Sequence, residues 1–511
     1  MKKMMLVAGA SMLALSLTSG AALASDPETD ERIADLEARI AQLEETNRRL
    51  LEFLESGQSA PVQNSTPHHQ PAHAPAETPA PQHHAAHHAA HHGEDATGGY
   101  VGLSSDYSYR MLDHAEGVNT RQLTILQAMQ SGELNNRVTL GGGLTVLANY
   151  QQSNSNSKFG WLMRHPTSNN QIGEEVSEFV VHSASLQTTA RFSDNITGYI
   201  ELLYNPEQSF GANATITGLT RNLTQVRKAY VLFGDLDETP WYAAIGKMDT
   251  PFGLNDTVSP FTNSTVWHSF SGLAYGGMVG YYNNGFHFRA MGIQGGAQFR
   301  AHNTSVEGTN VPSRVNNFAV DANYTAQLAD DSTLLVGASY QHGSTYCTAF
   351  PVFHFNPCAD NNPAYSVYGR WQTGNLTLLG EFASTTDVWP GSQNPFAPLD
   401  VFDAVETLSW VVGGRYEFDI GAENPLAASF EFSRFRAGDE GAPWEDQDQW
   451  VGGLSYFVTP SVNLFGEIVH TEGWVPLNFL SGAGPAAPIN GTWSESDAQT
   501  DVITVGVQAA F

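Results

Sequence analysis

Acidic and basic residues recur at equivalent places along this sequence. Four stretches set a glutamate beside a bulky apolar residue: Gly198–Glu201, Leu379–Phe382, Ser429–Phe432 and Phe465–Ile468. If these stretches are strands, the apolar neighbours face one way and the carboxylates the other. The charged side chains predicted to share that second face are Glu201, Glu381, Glu431 and Glu467, together with Arg191, Arg370 and Arg415 on strands of the opposite direction.

Two interpretations of these opposed charges stay open. Across a water-filled lumen, carboxylates facing guanidinium groups would set up a transverse field that orders polar solutes. Alternatively, neighbouring glutamates and arginines simply pair and line a wall. Both interpretations require a closed sheet with a polar interior.

A second group of residues lies at the end of the predicted strand 239–248 and in the segment 249–272 that follows it. It includes charged side chains at Lys247, Asp249 and Asp256 and an aromatic ring at Phe252. The segment is the third long loop of the predicted sheet, and such a loop can fold inward and narrow a lumen. An ordinary surface loop is the alternative.

Cysteine and histidine supply the remaining candidate groups. Cys347 and Cys358 are the only two cysteines and fall in one long loop. In an exported chain they predict a disulfide, which contributes about 3 kcal/mol for a loop of this size. Two free thiols or a metal pair are the alternatives.

Histidines cluster in a Pro-, Ala- and Gln-rich stretch at 58–99 that has too few apolar residues to form a core. Neutral imidazoles suit divalent transition metals, whereas in a solvated linker they would only titrate near neutral pH. No cofactor is required by the sequence. The metal-binding candidates are His83, His84, His87, His88, His91 and His92.

The elements that must position these groups are short alternating stretches. From residue 137 onward we count about sixteen, joined alternately by short turns and long loops. The last stretch, Val502–Phe511, sets apolar residues on one face and Thr504 and Gln508 on the other, and ends on Phe511. Alternation of this kind predicts an all-β fold, a transmembrane antiparallel β-barrel of about 16 strands. The predicted strands are 137–150, 178–192, 195–206, 224–235, 239–248, 273–283, 284–295, 315–327, 331–342, 363–372, 375–386, 404–417, 424–437, 446–458, 460–472 and 500–511.

The residues before the barrel divide into three parts. Residues 1–24 have the basic start, apolar middle and Ala-Leu-Ala ending of a signal peptide. Residues 25–57 carry a heptad seam that includes Asn47 and predict a short N-terminal α-helical coiled coil, a periplasmic stalk joining a homotrimer. The alternative is a lone amphipathic helix lying on the barrel. Residues 58–99 form the linker and 100–511 the barrel domain. Within the latter, 100–136 is open between a strand pair, an inner plug and part of the stalk.

Charge and motifs restrict the function. The 511 residues carry a formal net charge of −29, which disfavours nucleic acid as a partner. From residue 100 onward, 17 Lys and Arg face 39 Asp and Glu, so neutral solutes or cations are favoured over phosphate. No nucleophile motif with triad partners is present, so the chain is not expected to be an enzyme.

At Gly246–Gly253 the sequence reads GKMDTPFG. This stretch resembles the G-K-x-x-x-P-F-G motif of phosphate-selective porins and of siderophore porins of the legiobactin-uptake type. The order of signal peptide, coiled coil, linker and barrel is more similar to the siderophore group. The resemblance implies a passive outer-membrane uptake channel for a ferric siderophore, within the broader expectation of a channel for small hydrophilic solutes. The even strand count predicts a periplasmic N-terminus. Acidic outer loops would suit contact with lipopolysaccharide through divalent cations. The alternative is a plugged barrel that tethers the envelope and binds metal through its linker.

Overall fold

In a computed structural model, the described residues are 99–511 except 114, 155–173, 205–223, 297–313, 348–359, 394–398, 422–423, 443–444 and 474–497. They form one antiparallel sheet of sixteen strands, β2 to β17, that closes where β17 pairs with β2. The predicted sixteen-stranded barrel is therefore confirmed. The strands are β2 (Val138–Ser153), β3 (Glu175–Ser193), β4 (Ile196–Tyr204), β5 (Thr224–Phe233), β6 (Trp241–Asp249), β7 (Leu273–Asn283), β8 (Phe286–Gly296), β9 (Val315–Ala329), β10 (Ser332–Gln341), β11 (Ala364–Thr373), β12 (Leu376–Val388), β13 (Glu406–Phe418), β14 (Leu426–Arg436), β15 (Asp446–Thr459), β16 (Val462–Gly473) and β17 (Ala498–Ala510).

The period-two alternation sets the two faces of the wall. On β16, Leu464 and Ile468 are exposed on the outer surface, whereas Phe465 and Glu467 are buried inside. The same alternation on every strand produces an outer surface of apolar side chains around the barrel, which is the arrangement that a lipid-facing wall requires.

Exposed aromatic rings collect near both ends of the outer wall. Aromatic side chains of this kind, apolar with a polar edge in Tyr and Trp, suit a membrane–water boundary. Near the short-turn end they are Phe192, Phe233, Trp241, Phe286, Tyr324, Trp371, Tyr416, Phe418 and Phe511, and near the long-loop end Tyr150, Phe179, Tyr275, Phe318 and Tyr365.

Residues 99–137, excluding 114, form a separate segment that we call the N-terminal insert. It contains β1 (Val101–Leu103), helix α1 (Ser105–Arg110), a 3-10 turn (Val118–Thr120) and helix α2 (Arg121–Gln130). β1 lies parallel to β2, pairing Val101 with Val138, on the part of β2 beyond the end of β17. The helices pack against the inner wall, so of the three alternatives for 100–136 the inner plug matches the structure.

The remaining helices are short. Helix α3 (Thr265–Phe270) lies between β6 and β7 and is capped by Ser264, whose hydroxyl accepts a bond from the Trp267 amide. Helix α4 (Pro390–Gln393) and a 3-10 turn (Leu399–Val401) follow β12. None of the helices in the described ranges is long and apolar enough to cross a membrane. The predicted signal peptide, coiled coil and linker lie outside the described residues.

Candidate functional site: the barrel lumen and its two inserts

The loop between β6 and β7, residues 250–272, runs inside the barrel, and we call it the inward loop. Its base is closed where the Thr250 amide donates to the Gly272 carbonyl at 2.9 Å. Asp249, at the end of β6, pairs with Lys228 at 2.9 Å. Nearly every side chain of the loop is buried, including Phe252 and Asp256. The predicted constriction residues Phe252 and Asp256 therefore lie within the lumen.

Three of the predicted lumen glutamates bind the backbone of this loop. Both oxygens of Glu381 accept from the Leu254 and Asn255 amides, at 3.0 and 2.9 Å. One oxygen of Glu431 accepts from the Val258 amide at 3.1 Å and the Thr257 hydroxyl at 2.6 Å.

Glu467 holds the next turn of the loop. It accepts from the amide of Phe261 at 2.6 Å and from the amide and hydroxyl of Thr262 at 3.0 and 2.6 Å. Because Glu381, Glu431 and Glu467 stand on every second strand, the loop follows the wall, and one carboxylate fixes each successive turn of its backbone.

Glycines on the intervening strands leave room for the loop. A Cβ atom on Gly413 of β13 would lie 2.5 Å from Val258, and one on Gly453 of β15 would lie 2.5 Å from Pro260. At Gly253 the backbone is left-handed, with φ at 71°, and a Cβ atom would lie 2.2 Å from Glu381. Only glycine combines that conformation with that space.

Apolar contacts hold the rest of the inward loop. Phe261 stacks on Phe465 with ring centroids 5.2 Å apart and planes 12° apart. Phe252, Val266 and Phe270 join a buried cluster with Trp389, which follows β12, and Phe435 of β14. The Tyr346 hydroxyl donates to the Ser269 carbonyl at 2.8 Å, which connects helix α3 to the loop between β10 and β11.

The N-terminal insert packs on the inner faces of β4 to β9. Tyr107, Ile125 and Leu126 are buried in a cluster whose wall residues include Tyr230 and Met278. The Tyr107 hydroxyl also lies 2.7 Å from the Thr189 hydroxyl of β3. This part of the inner wall is apolar, whereas a wall facing a wide aqueous channel would be polar.

Ion pairs fix the middle of the insert. Asp113 pairs with Arg227 at 2.7 Å and with Lys228 at 3.4 Å. Arg227 and Lys228 are adjacent in sequence, yet both side chains are buried, because the β4–β5 register shifts between the Lys228 and Val226 pairings and leaves Arg227 as a bulge.

Glu116 links the insert to the far wall. Its two oxygens bind Arg370 at 3.0 Å and Arg415 at 2.7 Å. Burial raises the pKa of Glu116, but the nearby Arg415 and Arg370 outweigh it and lower that pKa to about 2. Because the pKa is lowered, the two ion pairs of Glu116 stabilise the insert fully at pH values above the ordinary pKa of a glutamate. This stabilisation is lost as the pH falls towards 2.

The N-terminal insert and the inward loop meet at Arg370. Arg370 also binds Asp256 of the inward loop at 3.0 Å, and Asp256 accepts from the Gly117 amide at 2.8 Å. The Asn119 side chain donates to the Gly253 carbonyl at 2.7 Å. Arg370 therefore connects the wall, the N-terminal insert and the inward loop.

The other predicted residues have different surroundings. Arg191 donates to the Leu134 carbonyl of the insert at 3.3 Å, and Glu201 is buried beside Lys228 in the β4–β5 pairing. Lys247 donates to the Val226 carbonyl at 2.9 Å. Cys347 is disulfide-bonded, and Cys358 lies outside the described residues. The six candidate metal-binding histidines also lie outside them.

One observation bears on the pairing hypothesis for these charges. In the described part of the chain, Glu381, Glu431 and Glu467 bond to the inward loop, and Arg370 and Arg415 bond to Glu116, so the two sets do not pair with each other. Across the same residues, no group of three or more His, Cys, Asp or Glu is placed to hold a metal ion.

Several residues at this site were not predicted from the sequence. They are Asp113 and Glu116 in the insert, Arg227 and Lys228 at the bulge, and Arg289. Arg289 pairs with Asp321 at 2.7 Å and also donates to the Asn119 carbonyl. The acidic and basic side chains are evident in the sequence. The apolar residues of β4 to β9 that pack against the insert, such as Tyr230 and Met278, could be assigned to the inner face only once the strand register was known.

The sequence matches no protein-family model and no curated protein sequence. Among solved structures, the chain is similar to an anion-selective porin from Comamonas acidovorans, at 13% identity and a TM-score of 0.43 over 73% of this chain and 99% of that one. It is also similar to the outer membrane channel DcaP of Acinetobacter baumannii, at 14% identity and TM-score 0.43 over 73% and 97%. Pseudomonas putida OprB matches at 10% identity and TM-score 0.44 over 75% and 97%. These likenesses are distant, with identities of 10–14%.

Proposed function

We propose that this chain is a passive outer-membrane channel for small hydrophilic solutes, with a lumen narrowed by the N-terminal insert and the inward loop. The observation that carries the proposal is the lumen itself. A closed sixteen-stranded barrel surrounds two polypeptide segments that are fixed largely by charged side chains. Arg370 and Arg415 keep 19% and 21% of their side chains exposed, so part of the charged lining faces water.

The membrane location is supported by the outer wall. A continuous apolar surface with aromatic rings near both ends is costly in water and favourable in a bilayer. The predicted signal peptide fits export to the outer membrane. With short turns in the periplasm, the N-terminal insert would enter the barrel from that side.

Single-channel recording of the full-length protein in KCl, with reversal potentials under a salt gradient, tests the proposal. Because two segments occupy the lumen, we expect small conductance steps that lean towards cations. A protein that is folded, as judged by its heat-dependent gel mobility, and that gives no current in any variant with a released insert would refute the channel function.

Ferric siderophores are the more specific candidate solutes. They rest on the Gly246–Gly253 motif together with the predicted order of signal peptide, coiled coil, linker and barrel. If such complexes use this channel, adding one should interrupt the KCl current, whereas the iron-free form should act more weakly. Equal effects of both forms, or none, would remove siderophores from the candidate solutes.

A plugged barrel that tethers the envelope is the second candidate function. It is favoured by the apolar contact between the insert and β4 to β9, because a segment fixed by Ile125 and Leu126 against the wall could be permanent. Silence in the recordings, together with loss of envelope integrity when the chain is absent, would support it.

Arginine on the outer wall should test the membrane location directly. Ile468 is 63% exposed near the middle of β16. Because a bilayer midplane penalises Arg, Ile468→Arg should lower the free energy of unfolding by about 2–4 kcal/mol in phospholipid vesicles. Gln499→Arg, near the long-loop end of β17, is the matched control and should cost about 0–1 kcal/mol. Equal costs would mean that this wall does not face lipid.

A further inference from the structure

Glu116 of the N-terminal insert binds two arginines of the barrel wall that could bind the carboxylate of a ligand instead. Arg370 stands on β11 and Arg415 on β13, and each binds a different oxygen of Glu116, at 3.0 and 2.7 Å. A carboxylate bridged in this way is held at both oxygens by charge-assisted hydrogen bonds. The geometry therefore describes a carboxylate site on the wall, with the ligand supplied by a different segment of the same chain.

The site borders water rather than the packed core. The exposed fractions of Arg370, Arg415 and Glu116 are 19%, 21% and 32%, compared with 1% for Asp256. The Arg415 Nε atom is buried and has no hydrogen-bond partner among the described residues, and Glu417 is 3.9 Å away from it. Because Arg370 and Arg415 keep part of their side chains exposed, a solute carboxylate can reach the guanidinium N–H groups that Glu116 uses.

The turn that carries Glu116 is built within the insert. The Arg121 guanidinium donates to the carbonyls of Ala115 and Glu116 at 3.2 and 3.1 Å and also to that of Leu112. Because these bonds are internal to the insert, the turn can hold its shape when Glu116 leaves the wall. Glu116 thus resembles a tethered ligand more than a part of the wall.

We propose that Arg370 and Arg415 form a binding site for the carboxylate group of a small solute in the lumen, and that Glu116 is an internal competitor for this site. The inference rests on the proposed channel function and adds a solute class to it. The excess of acidic residues still favours the passage of cations through the channel as a whole. The Arg370–Arg415 site, in contrast, selects a carboxylate. Binding of such a solute would remove one connection between the insert and the wall.

Competition from Glu116 should lower the apparent affinity of the two arginines for a solute carboxylate. When Glu116 leaves the site vacant for only a fraction of the time, the apparent affinity for a solute equals the intrinsic affinity multiplied by that fraction. Removing the Glu116 charge should therefore strengthen solute binding, by about tenfold if the site is occupied about nine-tenths of the time. Removing either arginine should weaken it.

Calorimetric titration of succinate into the full-length protein in detergent tests this site without requiring conduction. We expect E116Q to bind succinate about tenfold more tightly than the unaltered protein, with E116A as a second variant. The matched control is E133Q, because Glu133 lies in the same insert and pairs with Arg110, which is also in the insert. Dimethyl succinate, which lacks the charges, is the ligand control and should not bind.

The decisive comparison adds R415Q to E116Q, with R370Q in place of R415Q if the first does not fold. Loss of succinate binding in the double variant supports the site. Binding that is equal in E116Q and E133Q, unchanged by the arginine substitution, or shared by dimethyl succinate would overturn it. Bilayer recordings separate the two ideas, because a folded protein that gives no current in any variant with a released insert refutes the channel function whatever the titration gives.

Discussion

Replacing Glu467 with alanine is expected to lower the free energy of unfolding by about 3 kcal/mol and to make the channel current fluctuate. Glu467 is 3% exposed and accepts bonds from two loop amides and one hydroxyl, those of Phe261 and Thr262. Alanine would leave these donors buried without an acceptor, and each such donor costs about 1–3 kcal/mol. The cost falls on the inward loop, so the loop should leave its place on the wall more often.

Neighbouring contacts limit how far the loop can move. Glu381 and Glu431 would still hold the turns at 254–255 and 257–258. We therefore expect partial release near Phe261, seen as frequent transitions between conductance levels rather than one wider pore. Glu467→Gln keeps an amide oxygen as an acceptor and should lie between alanine and the unaltered protein.

Glu472→Ala is the matched control for this prediction. Glu472 belongs to the same strand, but its side chain is 41% exposed and lies 3.6 Å from His470 on the outer face. Its removal should change the free energy of unfolding by no more than about 0.5 kcal/mol. Equal unfolding midpoints for the two alanine variants, with equally quiet currents, would show that Glu467 does not hold the loop.

The strands of this barrel were predictable because a two-residue period separates lipid-facing from lumen-facing side chains. For example, the expected strand 460–472 is Val462–Gly473 in the structure, and 273–283 is unchanged. The positions of Glu381, Glu431 and Glu467 followed from the same alternation. Their partners did not, because backbone amides have no signature in the sequence.

The N-terminal insert was harder to predict for a different reason. Helix α2 is buried on several sides, as Leu123, Ile125, Leu126 and Ala128 are all within the packed lumen. A helix surrounded by protein shows no single apolar stripe, so its period is weak. The bulge at Arg227 also escaped prediction, because strict alternation assigns adjacent residues to opposite faces.

Removing the N-terminal insert should have the largest effect on conductance. Two truncations isolate it: one lacks residues 26–98 and keeps the insert, and the other lacks residues 26–136. Both lose the predicted stalk and linker, so they differ only in the segment inside the lumen. We expect the second to conduct several-fold more current than the first, because the ion pairs of Asp113 and Glu116 with the wall no longer keep a polypeptide in the pore.

The same truncation should also lower stability. Tyr107, Met111, Ile125, Leu126 and Leu134 are buried against the wall. Burial of each such side chain contributes about 1.5–3 kcal/mol before the entropy of ordering the insert is subtracted. The wall residues that they cover, including Tyr230 and Met278, would face water in the emptied lumen, so the unfolding midpoint should fall.

The paired measurements separate a removable insert from a permanent plug. Suppose that the longer truncation, which lacks residues 26–136, has a wider and steadier pore, and that the shorter one, which lacks 26–98, conducts like the full chain. This result would mean that the insert sets the conductance. Equal conductance of the two truncations would mean that ions pass without being limited by the insert, and the inward loop would then be the narrow point. A longer truncation that folds but stays silent would indicate that the inward loop alone closes the barrel. In that case Glu467→Ala in the same background should restore current, because the carboxylate that fixes the loop at Phe261 and Thr262 is gone.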